Sequence, residues 1–341
     1  MNTNPEQGFF PLTGLYEPSA IVQLADGRFL VVEDEKEHPF SLVQIDLRGR
    51  VVSTPLTPGW FEGGDGFWKL DDLEGLALDR SGAICAITSQ SLAGDGDRKK
   101  AREKLVRFRV EGDRVEARQT CKGLKAALVA AFPALAAAAE VADVKGGGGL
   151  NVEALEFQSE ADGRSLAQQR LLVGFRSPLI DERAVIAVVE NPDGMFERDE
   201  APRVGDRLVT LDLGGNGIRG MGYVPDLHGF LLIGGPVSKA SAEFGLWFWN
   251  GNADGVVCRV EPTGVPSIAH AEGICPAIID GQPRIVLVSD DGDRNARRPA
   301  RFLLLEPGQL HRRQGTFDAA ADLFGRNEAC IGLPKCLVIC Q

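Results

Sequence analysis

The chain has 341 residues, 44% of them hydrophobic and 25% charged, a composition that excludes disorder and collagen and supports one large core or several smaller ones. Lys and Arg number 37 against 48 Asp and Glu, for a net charge of −11, which argues against a phosphate-tracking nucleic-acid surface or an anionic membrane as partner. The 41 Gly and 19 Pro demand many tight turns, a need of short strands more than of long helices.

The first thirty residues lack a basic start followed by a continuous apolar stretch, and no segment approaches a membrane span, so the sequence predicts a cytoplasmic protein. Strands begin with EPSAIVQLADGRFLVVED from Glu17, two apolar runs about an Asp-Gly turn, followed by SLVQIDL and RVVSTPL. The loop GWFEGGDGFWKLDD over 59–72 carries Trp60, Phe61, Phe67 and Trp68 among acids and glycines, and reads either as a lid or as packing between strands. EGLALDRSGAICAITS from Glu74 repeats the first pattern, with KLVRFRV and RVEARQT behind it. The Ala-rich stretch 122–143 predicts a helical insertion broken at Pro133. EALEFQ from Glu153 returns as RLLVGFRSP and is followed by AVIAVVE and RLVTLDL. RGMGYVPDLHGFLLIGGP from Arg219 leads to FGLWFWNG, in which one of Trp247 and Trp249 is expected at a sheet interface and the other at the rim. EGICPAIIDGQPRIVLVSDDGD from Glu272 is the last such segment, and 318–341 is left as a C-terminal tail.

The anchors Glu17, Glu74, Glu153, Arg219 and Glu272 lie 57, 79, 66 and 53 residues apart, and the long step shrinks to the others when the helical insertion is removed. Self-similarity at such a period, with four strands per unit, predicts an all-β fold, a β-propeller of five four-stranded blades spanning 1–317 as one domain. A sixth blade would need strands from the first fifteen residues or from the tail.

Familiar motifs fail on context. Gly215, Gly217 and Gly220 fit G-x-G-x-x-G, but strand-like runs follow where a helix should start. Asp291, Asp293 and Asn295 begin like a calcium loop that Ala296 and Phe302 then break. The seven cysteines include no C-x-x-C pair, so no disulfide framework or zinc knuckle is signalled, and Cys85 and Cys258 read as core residues.

In a propeller the innermost strand of each blade lines the central channel, so the anchors should meet at one mouth. The returning strands should bring Asp34, Ser89, Arg176, Ser177, Ser289, Asp290 and Asp291 to the same face. A glutamate repeated in four of the five units can equally tie blades together by accepting backbone N–H groups. The departures point to function: Arg219 in place of Glu, and Asn151 two residues before Glu153, as Asp72 stands before Glu74.

DLEGLALD, LNVEALEF with LLVGFRSPL, and LDLGGNGIRGMGY followed by FLLIGGP resemble the bacterial proteins grouped as domain of unknown function 3616, which share an E-G-L-A type motif with the esterase-like domain of some phytases. The resemblance covers roughly 15–310, implies a propeller, and maps onto Glu74, Asn151, Glu153, Arg176, Gly217, Arg219 and Glu272; it implies no particular reaction.

Two functional readings follow. In the first, a small polar or anionic ligand binds at the mouth, and an ester or phosphoester is hydrolysed with Glu74, Glu153 and Arg219 as catalytic residues. Arg176, Ser177, Glu272, Asp290 and Asp291 then hold the ligand. A hard cation, Ca2+ or Mg2+, would be taken by Glu74, Asn151, Glu153 and Glu272. In the second, the propeller is a non-enzymatic scaffold that docks a protein partner through the aromatic loop.

Overall fold

The computed structural model describes residues 8–34, 38–59, 66–143, 146, 148–161, 164–238, 243–254, 257–265 and 267–312. The predicted tail, its three cysteines, and Trp60 and Phe61 of the aromatic loop lie outside them.

Short apolar runs separated by Gly and Asp turns become strands because alternate side chains can be buried on both faces of each sheet. A short strand β1 (Phe9–Pro11) precedes the blades. The first blade holds β2 (Pro18–Gln23), β3 (Phe29–Glu33), β4 (Phe40–Ile45) and β5 (Val51–Pro55). The second holds β6 (Leu73–Leu78), β7 (Ile84–Thr88), β8 (Leu105–Glu111) and β9 (Arg114–Cys121). The third holds β10 (Asn151–Ala161), β11 (Arg164–Ile180), β12 (Arg183–Val189) and β13 (Val209–Leu211). The fourth holds β14 (Gly217–Val224), β15 (Gly229–Gly235), β16 (Gly245–Trp249) and β17 (Val257–Pro262). The fifth takes β18 (Ala271–Ile279), β19 (Gln282–Ser289) and β20 (Arg301–Leu305) from the end of the described chain and β1 from its start. A final strand β21 (Leu310–Arg312) adds a fifth member to the fourth blade, beside β17.

The inner strands β2, β6, β10, β14 and β18 contact one another in a closed cycle, so the protein is a five-bladed propeller. The first residues do supply a strand, but it completes the fifth blade instead of starting a sixth: β1 pairs antiparallel with β20, with Phe10 opposite Phe302. This pairing joins the two ends of the ring and covers the outer edge of β20.

Each blade interface has its own buried core, five in all. A sheet with two apolar faces can bury both only between neighbours, and the ring provides two neighbours to every blade. Trp247 and Trp249 both enter the core between the third and fourth blades. The expected split between interface and rim is thus corrected, because residues two apart on a strand share a face. Phe67 and Trp68 pack with Phe40 and Phe108 between the first and second blades, so the described aromatics of the 59–72 loop are core residues.

The Ala-rich insertion forms two helices, α1 (Leu124–Ala131) and α2 (Pro133–Ala139), separated by the extended residue Phe132. Pro133 opens the second helix, where its missing N–H is unneeded. Leu124, Leu128, Phe132 and Leu135 cover the interface between the second and third blades. A third helix, α3 (Pro192–Glu197), was not evident from the sequence. Cys85 is a buried free thiol. Cys258 on β17 is a core residue between the fourth and fifth blades, and it is disulfide-bonded. Among the described residues no helix is long and apolar enough to cross a membrane.

Candidate functional site

Every inner strand carries a register shift at the same place, near its first residues. The residue inserted at the shift is Ser19 in β2, Glu74 in β6, Glu153 in β10, Arg219 in β14 and Glu272 in β18. A bulge leaves its extra residue outside the ladder and re-aims the side chain, here into the channel. The equivalent position of the first blade is therefore Ser19, two residues beyond the expected anchor Glu17. Inner strands approach closely at this level: a Cβ on Gly220 would stand 2.0 Å from the carbonyl oxygen of Glu272. That is the physical reason for Gly-Met-Gly after Arg219, and Ala154 shows that the third blade tolerates one methyl.

The five bulge residues open into a cavity of about 790 Å3 that is also lined by Glu17, Asp34, Asp72, Asp143, Asn151, Arg102, Arg176 and Asp290. Eight carboxyl groups thus face three guanidinium groups. Arg219 spans three blades. Its guanidinium donates to Glu153 Oε2 at 2.7 Å and pairs with Glu272 Oε1 at 2.8 Å, while the Phe244 ring lies 5.5 Å from its Cζ. Arg176 reaches Glu153 Oε1 at 3.1 Å and the Pro236 carbonyl at 3.2 Å. Asn151 Nδ2 completes the shell of Glu153 by donating to Oε1 at 2.7 Å. On the opposite wall Arg102 donates to Ser91 Oγ at 3.2 Å and pairs with Asp72 at 3.0 Å.

The other acids are set differently. Glu74 has no hydrogen bond or ion pair within the described residues, and burial, reinforced by Glu153, Asp72, Glu272 and Asp34, holds its carboxyl well above the ordinary range. Burial also pushes Glu272 up, to about 8, with Arg219 opposing the rise and Glu153 and Asp290 adding to it. Burial and the neighbouring Asp72 raise Asp34 to about 6. Asp290 is raised by burial and by Glu17. For Arg219, burial works against the charge, but Glu153 and Glu272 outweigh it and the proton is held more tightly than usual.

Of the residues expected at the site, the fold brings together Glu74, Asn151, Glu153, Arg176, Arg219, Glu272 and Asp290. It does not bring Ser177 or Asp291 to the cavity wall. Ser177 is fully buried, with its hydroxyl donating to the Gly149 carbonyl. Asp291 accepts Ser289 Oγ at 2.6 Å and Arg301 Nε at 2.5 Å, so it staples the edge of the fifth blade. Ser89 is likewise buried, bonded to Ser91. The proposed cation ligands Glu74, Asn151, Glu153 and Glu272 do not form a shell, because the Arg219 guanidinium stands between Glu153 and Glu272. Among the described residues no three His, Cys, Asp or Glu side chains converge closely enough to hold a metal ion. No backbone N–H in the described residues donates to Glu74, Glu153 or Glu272. Their recurrence thus serves the mouth and not the bonding of blade to blade through the backbone.

Two lining residues escaped sequence reasoning. Arg102 comes from a short 3-10 turn, Lys100–Arg102, in the connection between β7 and β8, and Asp143 follows α2 at the end of the insertion. Both sit on excursions from the repeat, where no periodic signal exists.

No family profile matches the chain, and no curated protein matches it. Among solved structures, the PQQ-bound aldose sugar dehydrogenase of Streptomyces coelicolor is similar at 15% identity and a TM-score of 0.41, covering 88% of this chain and 98% of that one. A gluconolactonase of Xanthomonas campestris is similar at 11% identity and a TM-score of 0.38, covering 89% and 82%. The hydrazine synthase of Kuenenia stuttgartiensis is similar at 9% identity and a TM-score of 0.37, covering 90% of each chain. None of these likenesses speaks to substrate or reaction.

Proposed function

We propose that the mouth binds a small polar ligand rich in hydrogen-bond donors, a polyol or an amine-bearing molecule, and that Glu74 transfers a proton to it in the hydrolysis of an ester. The observation that carries this reading is Glu74 itself: a carboxyl group facing a roomy cavity, without a partner among the described residues, in surroundings that favour its neutral form. A neutral carboxylic acid at neutral pH is the species that can protonate a leaving oxygen, and ionised Asp34 is suited to accept a proton from an attacking water. Arg176 and Arg219 hold Glu153 in place and present their remaining N–H groups to oxygen atoms of the bound molecule. An anionic or phosphoester ligand is the less favoured form of the expectation, since both arginines already face carboxylates and a phosphate would enter among unpaired acids.

The test is hydrolysis of simple acyl esters of polyols and amino alcohols by the purified chain, with Glu74→Gln as the variant. Activity should fall as pH rises through the Glu74 titration, and the variant should lose on the order of a hundredfold or more. Equal rates in the two proteins, both folded by circular dichroism, would refute the assignment. The scaffold reading has less support, because Phe67 and Trp68, the described aromatics of its docking loop, are buried between blades.

A further inference from the structure

The inner strands carry the channel past the mouth. Two residues beyond each bulge stand Ile21, Leu76, Leu155, Met221 and Ile274, one from each blade, lining a neck of only about 10 Å3. That is room for at most about one water, so the mouth is a dead end. Further along the same strands the channel reopens into a second chamber of about 310 Å3, with Leu76, Leu78, Phe157, Tyr223 and Ile274 on its walls. Its volume lies at the small end of small-molecule sites.

One carboxylate lies among the described lining residues of this chamber, Glu156 on β10. Its Oε1 accepts the Phe157 N–H at 2.7 Å and its Oε2 the Tyr223 N–H at 3.0 Å. These two bonds fix the carboxylate and leave a lone pair free on each oxygen. Among the described residues no ion pair reaches it and no charged neighbour contributes to its titration, which burial raises to about 7 against the pull of the two N–H groups. Gln23 and Ser159 are the other polar side chains on the described wall besides the Tyr223 hydroxyl, and neither is charged. An acid fixed by two donors, walled mostly by apolar side chains and lacking a countercharge among the described residues is complementary to one kind of small molecule.

We infer that this second chamber binds a small hydrophobic primary ammonium, its charge paired with Glu156 and its body packed against Leu76, Leu78, Phe157 and Ile274. The site is closed off from the mouth by the apolar neck, so it stands or falls independently of the proposed hydrolysis. An alcohol of the same shape would fill the space and make a hydrogen bond but bring no countercharge.

The chain holds two tyrosines, Tyr223 on the chamber wall and Tyr16, packed under Arg294 next to the mouth residue Glu17. Protein labelled with 3-fluorotyrosine therefore reports each end of the channel by its own fluorine resonance. Titration with benzylammonium at about pH 8, where Glu156 is ionised, should move the Tyr223 signal saturably and leave Tyr16 in place. Glu156→Gln should weaken binding at least about tenfold, benzyl alcohol should bind at least about tenfold more weakly than the amine, and Glu74→Gln should change nothing. If Glu156→Gln does not fold, lowering the pH of the natural protein to about 5.5 should weaken benzylammonium by a similar factor and leave benzyl alcohol unaffected. Movement of Tyr16 in place of Tyr223, or equal affinity of amine and alcohol, overturns the inference.

Discussion

Glu156 also makes the stability of the propeller depend on pH in a way that one substitution isolates. Its ordinary value of 4.5 rises to about 7 in the fold. Between those values the native state holds a proton that the unfolded chain has released, so the contribution of Glu156 to stability falls as pH rises through the window and is constant on either side of it. A shift of this size corresponds to about 3 kcal/mol. Glu156→Gln removes the titration. It also sets an amide NH2 against one of the two backbone donors, which costs about 1 to 3 kcal/mol at every pH. The variant should therefore be the less stable protein near pH 4.5, and the gap should close or reverse by about pH 8. Urea denaturation at half-unit steps of pH measures both curves. Their difference should move by about 3 kcal/mol in favour of the variant, and the constant penalty drops out of that change. Parallel curves would show that Glu156 titrates alike in the folded and unfolded chains, and would refute the account of its surroundings.

Arg219→Met should lower stability by about 3 kcal/mol or more at pH 8, because it takes an arginine from buried Glu153 and leaves Glu272 with no ion-pair partner among the described residues; thermal unfolding checks this, and the loss should shrink at pH 5, where Glu272 is already protonated. Gly220→Ala should cost about 1 to 3 kcal/mol or prevent folding, since the added methyl meets the Glu272 carbonyl, whereas Ala154→Gly in the equivalent place should cost no more than about 1 kcal/mol in the same measurement. Asp291→Ala should leave ligand binding at the mouth intact while lowering the melting temperature, its carboxylate being committed to Ser289 and Arg301 on the outer side of the strand.

The blades were legible because each repeats a local instruction: two apolar runs, an Asp or Gly turn between them, and a polar residue ahead of the first. The identity of Glu74, Glu153, Arg219 and Glu272 as equivalent positions was legible for the same reason. What the pattern concealed was the bulge. An extra residue in a strand has no compositional mark when its neighbours are apolar, so the first blade was aligned on Glu17 and not on Ser19. β1 was concealed because Phe-Phe-Pro is too short to show alternation, and its partner lies at the far end of the described chain. The pairing within the site was illegible too: four acids and two arginines in a mouth are compatible with a metal shell or with a salt-bridged clasp. Only the position of Arg219 between Glu153 and Glu272 separates them.

The closure of the ring through β1 has a consequence for the order in which the molecule assembles. Phe9 and Leu303 are paired across 294 intervening steps of chain, whereas neighbouring strands within a blade meet across turns of a few residues. Loop-closure entropy grows by about 0.6 kcal/mol for each doubling of length, so this contact carries about 3.5 kcal/mol more entropic cost than a hairpin of about five residues. Three residues of ladder can offset that only when the other four blades already hold β20 in place. The clasp is then the last step of folding and the first of unfolding. In amide exchange, the β1 and β20 ladder should open ahead of every inner strand.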